Sequence, residues 1–376
     1  MTLLATNRQS RRLGTMAIML RGLHLDGMLV AGIIAILAIG LAALYSAVGQ
    51  NSALIINQLV RILAAAAVML FMAQVEPNFL RRASPFVYVF GLILLSLVLI
   101  TGDVGKGAQR WLNIGLRFQP SEIMKLGLPL MLAWLLHERP LPPSFGMIIV
   151  AVLVTLVPVS LIVIQPDLGT AILIVLSGAT VIFLAGIGVR YILGAILAGL
   201  ISMPILWYLV MLDYQKRRVL TLIDPDSDPL GSGYHIIQSK IAIGSGGLFG
   251  KGWLNGSQGQ LEFLPERSTD FIFAIIGEEL GLMGALSVLL VYLFIVGRGL
   301  VIAATAQDTF SRLLAGSISL TFFFYIFVNT AMVTGLVPVV GIPLPLVSAG
   351  GTSMVTLLAG FGILMSIQTH RKLLAR

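Results

Sequence analysis

The chain has 376 residues, of which 57% are hydrophobic and 11% are charged, with a net charge of +8 and a mean hydropathy of +0.99. Soluble domains carry about 25% charged residues, so this composition excludes an ordinary soluble protein and indicates an integral membrane protein. The sequence contains no cysteine, which excludes disulfides and cysteine-based metal sites, and its positive charge is better explained by basic loops facing anionic lipid than by nucleic-acid binding.

Hydrophobic segments long enough to cross a bilayer, which takes about 20 residues, recur along the whole chain. The first one, Gly27 to Val48, is longer than the roughly 7–15-residue core of a signal peptide, so it is interpreted as an uncleaved span. We predict an all-α, polytopic bundle of about ten transmembrane helices that forms a single domain over 1–376. The predicted spans are about 27–48, 53–75, 84–101, 121–137, 144–164, 168–187, 190–212, 271–297, 313–336 and 350–369.

The distribution of lysine and arginine predicts the orientation of this bundle. An even number of spans leaves both termini on one side, and cytoplasmic loops are rich in basic residues. Cytoplasmic termini leave only Lys106, Arg110 and Arg117 in the short outer loops. The basic residues then predicted to be cytoplasmic are Arg8, Arg11, Arg12, Arg21, Arg81, Arg82, Arg139, Arg190, Arg298, Arg312, Arg371, Lys372 and Arg376.

One polar, glycine-rich loop, at about 213–270, separates spans 7 and 8 and is predicted to be extracytoplasmic. Its stretch GSGGLFGKG is similar to a phosphate-binding loop, but the pattern GxxxxGK[ST] fails at Ser245 and at Gly252. An NTPase is therefore not predicted. Loops of this length are usually functional or disordered, and the apolar stretch YHIIQSKIAIG predicts short amphipathic helices on the outer membrane surface.

Polar residues gather near the predicted outer ends of the spans. Four segments contribute them, namely KGAQRWLNIGLRFQPSEIMK, QPDLGT, STD and VPVVGIPLPLVSAGGTS. Two of these segments share a local pattern, in which Gln-Pro is followed by an acid. Because all four lie on the same predicted side, they define one candidate site at the outer face.

Individual residues in these segments have a structural interpretation beside the functional one. Glu122 and Lys125 are three residues apart on one helix face, so they form either a shielded ion pair or part of a site together with Arg110. Asp167 lies in a tight turn and is equally suited to cap span 6. Arg61 lies among apolar residues of span 2, where it either snorkels to the interface or pairs with a buried acid.

The segment PERSTDFIFAIIGEELG introduces span 8 and carries three carboxylates. Asp270 follows Ser268 and Thr269, and all three residue types are good helix N-caps, so capping is one interpretation of Asp270 and chemistry at the outer face is the other. Glu278 lies about 12 Å further along the helix. For Glu278 and Glu279 we favour a structural role, such as pairing with a buried cation.

Several long motifs resemble those of the SEDS family (shape, elongation, division and sporulation proteins) over the whole chain. They are FQPSEIMK, QPDLGTAILI, IGSGGLFGKGWLNGSQGQLEFLPERSTDFIFAIIGEELG and PLPLVSAGGTS. The run GQLEFLPERSTDFIFA is more similar to elongation-type than to division-type members. The resemblance implies a peptidoglycan glycosyltransferase of the bacterial cytoplasmic (inner) membrane. It would polymerise lipid II into β-1,4 glycan at the outer face during elongation and rod-shape maintenance, beside a class B penicillin-binding protein.

The resemblance also implies roles for residues. The aspartate of the family's STDF motif, here Asp270, is its essential acid and would serve as the base or orient it. Lys125 and Arg110 would hold the pyrophosphate, and Glu122 and Asp167 would position Lys125 or a metal ion. Ser348 and the Gly350-Gly351 backbone would allow close approach of the substrate. No cofactor is fixed by the sequence, although a divalent cation such as Mg²⁺ or Mn²⁺ could neutralise the pyrophosphate in place of lysine and arginine.

Two other functions fit the same features. A lipid II flippase or other transporter would use inward carboxylates and Gly/Pro-broken segments, but no clear paired-half symmetry is visible and the polar residues cluster on one side. A scaffold that recruits a synthase would need the long loop but not the gathered acids and cations. A division-type polymerase is a third alternative within the same family.

Overall fold

The computed structural model describes residues 22–105, 108–113, 117–229, 231–261 and 263–370. Thirteen α-helices and a three-stranded antiparallel sheet make up this part of the chain. In chain order they are α1 Gly27–Ala47, α2 Ser52–Gln74, α3 Pro77–Thr101, β1 Asp103–Gly105, β2 Ala108–Asn113, β3 Arg117–Phe118, α4 Ser121–Leu136, α5 Phe145–Ile164, α6 Leu168–Leu184, α7 Val189–Ile205, α8 Asp213–Ile223, α9 Ser232–Gly246, α10 Ser257–Gln260, α11 Ile272–Ala304, α12 Thr309–Val333 and α13 Thr352–Thr369.

The expected polytopic helical fold is confirmed, and a helix occurs at each predicted span. Within the described residues, eight helices are long and apolar enough to cross a membrane. The other two predicted spans are shorter, since α4 has 16 residues and α6 has 17, so the count of ten stays a prediction. The basic residues predicted at the cytoplasmic termini, Arg8, Arg11, Arg12, Arg21, Arg371, Lys372 and Arg376, lie outside the described residues, as does Lys106.

The centre of the bundle is formed by α12 and α13, most of whose residues are buried. Helix α12 packs against α11, α6 and α4, while α13 lies along α2, and α3 packs on α4. No residue of α7 is buried within the described structure. Successive spans run in opposite directions, so the connections α1–α2, α3–α4, α5–α6, α7–α11 and α12–α13 lie at one end of the bundle, which we call the loop end.

The long loop at the loop end contains helices α8, α9 and α10. The expected helix at YHIIQSKIAIG is present as α9, and one face of it is seated on the bundle. Ser239 Oγ donates to the carbonyl of Val333 at 2.7 Å, and Gly246 lies against the Gly277 carbonyl so closely that a Cβ would collide with it. The loop is thus packed against α11 and α12 as part of the core.

Helix α11 is interrupted at Gly281. The sequence pattern was interpreted as one continuous helix over span 8, and that expectation is wrong. Gly281 has φ 65° and ψ −164°, a conformation open essentially to glycine alone. The break frees the amides of Leu282 and Met283, which donate to the carbonyls of Gly247 and Leu248 at 3.0 and 3.1 Å. The freed carbonyls before the break are also satisfied, because those of Glu278 and Glu279 accept from the amides of Lys251 and Gly252.

Side chains reinforce this insertion of residues 247–252 into the break. Glu278 is fully buried, and its Oε1 accepts from Lys251 Nζ at 2.7 Å, from Ser257 Oγ and from the amide of Gln258. Glu279 accepts from Ser46 Oγ on α1. The structural role favoured for both glutamates is therefore what the contacts show. The cation is Lys251 of the stretch that is similar to a phosphate-binding loop.

Replacing Gly281 by alanine tests this joint. The positive φ and a collision of the new Cβ with the Gly250 backbone nitrogen should lower the unfolding free energy by about 1–3 kcal/mol. We expect a lower Tm of the detergent-purified protein and faster proteolysis within 247–260. Gly297→Ala is the matched control, because Gly297 lies in the same helix with open space around it, and its Tm should stay equal or rise. Equal Tm values for the two variants would contradict the assignment.

Candidate active site

Lys125 and Glu122 form a buried ion pair at the start of α4. Their Nζ and Oε1 atoms are 2.7 Å apart, with exposed side-chain fractions of 10% and 5%. The predicted i,i+3 pair is therefore confirmed. The Nζ atom also lies 5.2 Å from the ring centroid of Tyr325 on α12. This cation–π contact links α4 to α12, while the charge of Lys125 is balanced within α4 by Glu122.

A small cavity of about 30 Å³ opens beside this pair, between α4, α12 and α13. Apolar side chains form most of its wall, and the polar members are Glu122, Lys125, Thr321, Tyr325 and Thr356. Three buried oxygen atoms of this wall, Glu122 Oε2, Thr321 Oγ1 and the Tyr325 hydroxyl, have no hydrogen-bond partner among the described residues. Because buried polar atoms normally have partners, the cavity offers three oxygen atoms to a molecule that enters it.

Arg110 and Asp167 meet on the next pair of segments, β2 and the α5–α6 turn. Arg110 Nη1 lies 3.7 Å from Asp167 Oδ1, and Arg110 Nη2 donates to the Pro166 carbonyl at 3.0 Å. Gln119 Nε2 donates to Asp167 Oδ2 at 2.9 Å, and the amide of Thr170 donates to Oδ1. The capping interpretation of Asp167 is therefore confirmed, since it caps α6. Its ion pair with Arg110 is present as well, and its role towards a substrate stays a prediction. Arg110 keeps 27% of its side chain exposed.

Asp270 lies in the turn that precedes α11. Phe271 occupies the N-cap position of α11, and the side chain of Phe271 makes no capping hydrogen bond. Asp270 is therefore not the N-cap of this helix. The turn is fixed by Asn329 of α12, which is fully buried. Asn329 Nδ2 donates to the carbonyls of Asp270 and Ile342 at 2.8 and 2.7 Å. The backbone of Asp270 is thus fastened to the central helix.

The segment 340–342 brings Asp270 towards the Arg110–Asp167 pair. A Cβ on Gly341 would lie 3.6 Å from Asp270 Oδ2, and a Cβ on Gly169 would lie 2.6 Å from the Val340 carbonyl oxygen. At Gly169 the close approach itself requires glycine, whereas at Gly341 a Cβ would fit and glycine is favoured by the φ of 73°. Helix α12 makes the corresponding connection to Lys125, because Tyr325 and Asn329 are one helical turn apart. The predicted convergence at the loop end is therefore present.

Ser348 lies in the same region, but its hydroxyl is engaged by the protein. It donates to the Thr269 carbonyl and accepts from the Leu344 amide at 2.8 Å. The amide of Ala349 also donates to the Ser268 carbonyl at 2.8 Å. The buried Ser348 thus braces the turn that carries Asp270, and its predicted contact with substrate stays a prediction.

Arg61 does not pair with Glu278 or Glu279, which have other partners. It is exposed on α2, and a Cβ on Gly351 would lie 3.8 Å from its Nε atom. Pairing with a buried acid was one of the two interpretations of Arg61, and Glu278 and Glu279 are not that acid. The physical reason is that Lys251 is the ion-pair partner of Glu278. The path of the loop that brings Lys251 there is not visible in the sequence.

Three residues of this region escaped the sequence interpretation. Tyr325 and Asn329 looked like ordinary members of an amphiphilic span. His235 of α9 stacks on Phe271, with ring centroids 5.5 Å apart. Burial lowers the pKa of His235, and Glu266 and Asp228 offset this only in part, so His235 is neutral at pH 7. The signal available in the sequence was the helical spacing of Tyr325 and Asn329, two polar residues on one face of an otherwise apolar span.

The described residues contain no group of three or more His, Asp or Glu side chains that could hold a metal ion. Glu122, beside the cavity, is already paired with Lys125. Asp167, in the α5–α6 turn, is already paired with Arg110. These residues therefore do not form a ready-made metal site.

Asn329→Leu tests how the turn is held. Leucine removes the donor for two buried carbonyls, which should lower the unfolding free energy by about 1–3 kcal/mol and displace Asp270. Because small displacements of reacting groups cost up to about 100-fold in rate, we expect a large loss of turnover in the folded fraction. Thr330→Val is the control, since Thr330 bonds only to carbonyls of its own helix. Full turnover of a folded Asn329→Leu protein would contradict this role.

Comparison with known proteins agrees with this architecture. The model of the FtsW/RodA/SpoVE family, described as cell cycle protein, matches residues 20–373. The Escherichia coli (strain K12) protein "Peptidoglycan glycosyltransferase MrdB" is 50% identical over 354 residues, covering 94% of this chain and 96% of that protein. The "Probable peptidoglycan glycosyltransferase FtsW" of Geobacter sulfurreducens (strain DL-1 / KN400) is 41% identical over 288 residues, covering 75% and 76%.

Two solved structures share the fold. A chain from a peptidoglycan synthase complex, described for its structural coordination of polymerization and crosslinking, superposes with a TM-score of 0.80 at 33% identity, covering 91% of this chain and 97% of that one. The Thermus thermophilus rod shape determining protein RodA gives a TM-score of 0.70 at 28% identity, covering 92% and 98%. With a family model that spans nearly all of its length and a relative identical at half of the aligned positions, this chain belongs to the FtsW/RodA/SpoVE family of multi-pass membrane proteins.

Proposed function

We propose that the chain is a peptidoglycan glycosyltransferase that polymerises lipid II into β-1,4 glycan strands during cell elongation. The relative named peptidoglycan glycosyltransferase supports this assignment. The observation that carries it is the arrangement on one face of α12, where Tyr325 lies under Lys125 and Asn329, one turn further, holds the turn of Asp270. A candidate base and a candidate phosphate-binding cation are thereby fixed to the same rigid element.

The reaction that this arrangement supports is a single displacement. The C4 hydroxyl of a GlcNAc attacks C1 of a MurNAc, the bond from C1 to the pyrophosphate oxygen breaks, and the configuration at C1 inverts. The hydroxyl proton passes to a carboxylate, and Asp270 is the proposed acceptor or the group that orients it. A base in position contributes about 10²–10⁴-fold to such a rate.

The leaving pyrophosphate develops negative charge, which fixed cations stabilise. Arg110 is the more accessible of the two proposed cations, whereas Lys125 lies at the cavity wall, where the lipid-linked phosphates would have to reach it. Glu122 and Asp167 keep these cations in position through the ion pairs described above. A Mg²⁺ or Mn²⁺ ion brought by the pyrophosphate stays a prediction, which the dependence of turnover on a chelator would test.

The proposed setting is the bacterial cytoplasmic membrane, with the loop end facing outside. The proposed partner is a class B penicillin-binding protein, whose transpeptidase would crosslink the new strands. A structural relative taken from a synthase complex that couples polymerization to crosslinking supports such a partner.

A lipid II flippase is the second candidate, because α11 is broken at Gly281 as transporter helices often are. The break is filled by residues 247–252 through four backbone hydrogen bonds, which favours a fixed joint over a moving gate. The purified protein, supplied with labelled lipid II in detergent with and without its partner, should produce glycan ladders. Movement of lipid II across liposomes without any ladder would instead establish transport.

A further inference from the structure

A second charged cavity lies at the end of the bundle opposite the loop end, between the start of α3 and the end of α4. Its volume is about 520 Å³. The charged and aromatic side chains that line it are Arg81, Arg82, Trp134, His137, Glu138 and Arg139. Nothing in the proposed glycosyl transfer uses this cavity, because it is separated from Glu122 and Lys125 by the length of α4.

The charges of this cavity are unbalanced. Three arginines face one carboxylate, Glu138, whose Oε1 lies 3.3 Å from His137 Nε2. Within the described part of the chain, none of the three arginines has an ion-pair partner. Like charges gathered in one concave surface repel one another, so an anion in the cavity would relieve an electrostatic cost that the fold otherwise carries.

The surface next to the cavity indicates which anion. Phe79, Arg82, Phe86 and Phe90 recur at helical spacing along one face of α3. The three phenylalanines are 64%, 78% and 53% exposed. A stripe of exposed aromatic rings thus runs from the arginines along the apolar span. A soluble phosphate has no apolar part that could contact this stripe, whereas the acyl chains of a phospholipid would lie along it.

We propose that this cavity, which we call the arginine cavity, binds the headgroup of an anionic phospholipid, with the guanidinium groups of Arg81, Arg82 and Arg139 around the phosphate. Arginine suits phosphate because its planar fork of donors matches the phosphate oxygens. Basic pockets between transmembrane helices on the cytoplasmic side are a recurrent type of lipid site. Trp134, which lines the cavity, is of the residue type that concentrates at membrane interfaces.

The test measures binding of cardiolipin, which carries two phosphodiesters, to the full-length protein in nanodiscs of neutral lipid. The variant is Arg82→Gln/Arg139→Gln. The control is Arg190→Gln/Arg312→Gln, which removes two exposed arginines at the same end of the bundle but outside the cavity. Each cation near an anionic membrane surface contributes about fivefold to binding. We therefore expect about 30-fold weaker binding for the variant and a much smaller change for the control.

Three results would overturn the proposal. The control could lose as much affinity as the variant, which would mean general attraction of charge. Phosphatidylethanolamine could bind as tightly as cardiolipin, which would remove the need for an anion. Inorganic phosphate could displace cardiolipin at millimolar concentration, which would assign the cavity to a soluble ligand. If the double variant does not fold, Arg139→Gln alone, which lies beyond the last residue of α4, should still weaken binding about fivefold.

Discussion

Replacing Asp270 by asparagine should abolish lipid II polymerisation while the protein stays folded. Asparagine keeps the size of the side chain and removes the carboxylate, so a base worth about 10²–10⁴-fold in rate is lost. The backbone contacts that hold the turn, from Asn329 to the Asp270 carbonyl and from Ala349 to the Ser268 carbonyl, do not involve the replaced atoms. Initial rates of glycan formation and the Tm should be measured on the same preparation.

Two variants complete this experiment. Asp270→Glu keeps a carboxylate about one methylene out of place, and we expect a residual rate between those of the wild type and Asp270→Asn. Asp213→Asn removes an exposed aspartate at the same end of the bundle and should leave the rate unchanged. An Asp270→Asn protein that polymerises at more than a tenth of the wild-type rate would refute the role of Asp270.

Replacing Lys125 by methionine should have the largest effect on stability. It leaves Glu122 buried and without its cation, and breaking a buried pair in this way costs about 3–5 kcal/mol. The double variant Glu122→Gln/Lys125→Met removes both charges, so it should recover most of the Tm. If Lys125 also binds pyrophosphate, the double variant should remain about 10²–10³-fold slower than the wild type, although it is folded.

The Asp26–Arg298 pair at the opposite end provides the matched control. Arg298 Nη2 lies 2.6 Å from Asp26 Oδ2, so Arg298→Met should also lower the Tm. The double variant Asp26→Asn/Arg298→Met should recover stability and keep full turnover, because this pair is remote from the loop end. Full turnover of Glu122→Gln/Lys125→Met as well would mean that the Lys125 pair is purely structural.

Much of the architecture follows from local sequence patterns. Runs of apolar residues of span length predict the helices. The hydrocarbon core offers backbone N–H and C=O groups no hydrogen-bond partners, and a helix satisfies these groups within the segment. The i,i+3 spacing of Glu122 and Lys125 and the turn position of Asp167 likewise predict contacts that are local in the chain. These features are correct in the structure because each depends on residues only a few positions apart.

The features that were missed depend on contacts between distant parts of the chain. Residues 247–252 replace the helical hydrogen bonds of Glu278 and Glu279, and no local signal marks a loop that will enter a helix. Asn329 reaches the Asp270 carbonyl across 59 positions, so in the sequence it is one polar residue in an apolar span. Lys251 appeared to belong to a failed nucleotide motif, and only the fold shows that its partner is Glu278.

The most direct test of the proposed function is the linkage of the product. Labelled lipid II should be incubated with the protein and a class B partner whose transpeptidase is blocked, and the product treated with a muramidase that cleaves β-1,4 bonds from MurNAc to GlcNAc. A single displacement assisted by one carboxylate predicts long glycan strands that the muramidase digests completely to disaccharide units. Strands that resist the enzyme, or lipid II that is left unpolymerised, would contradict the proposed function.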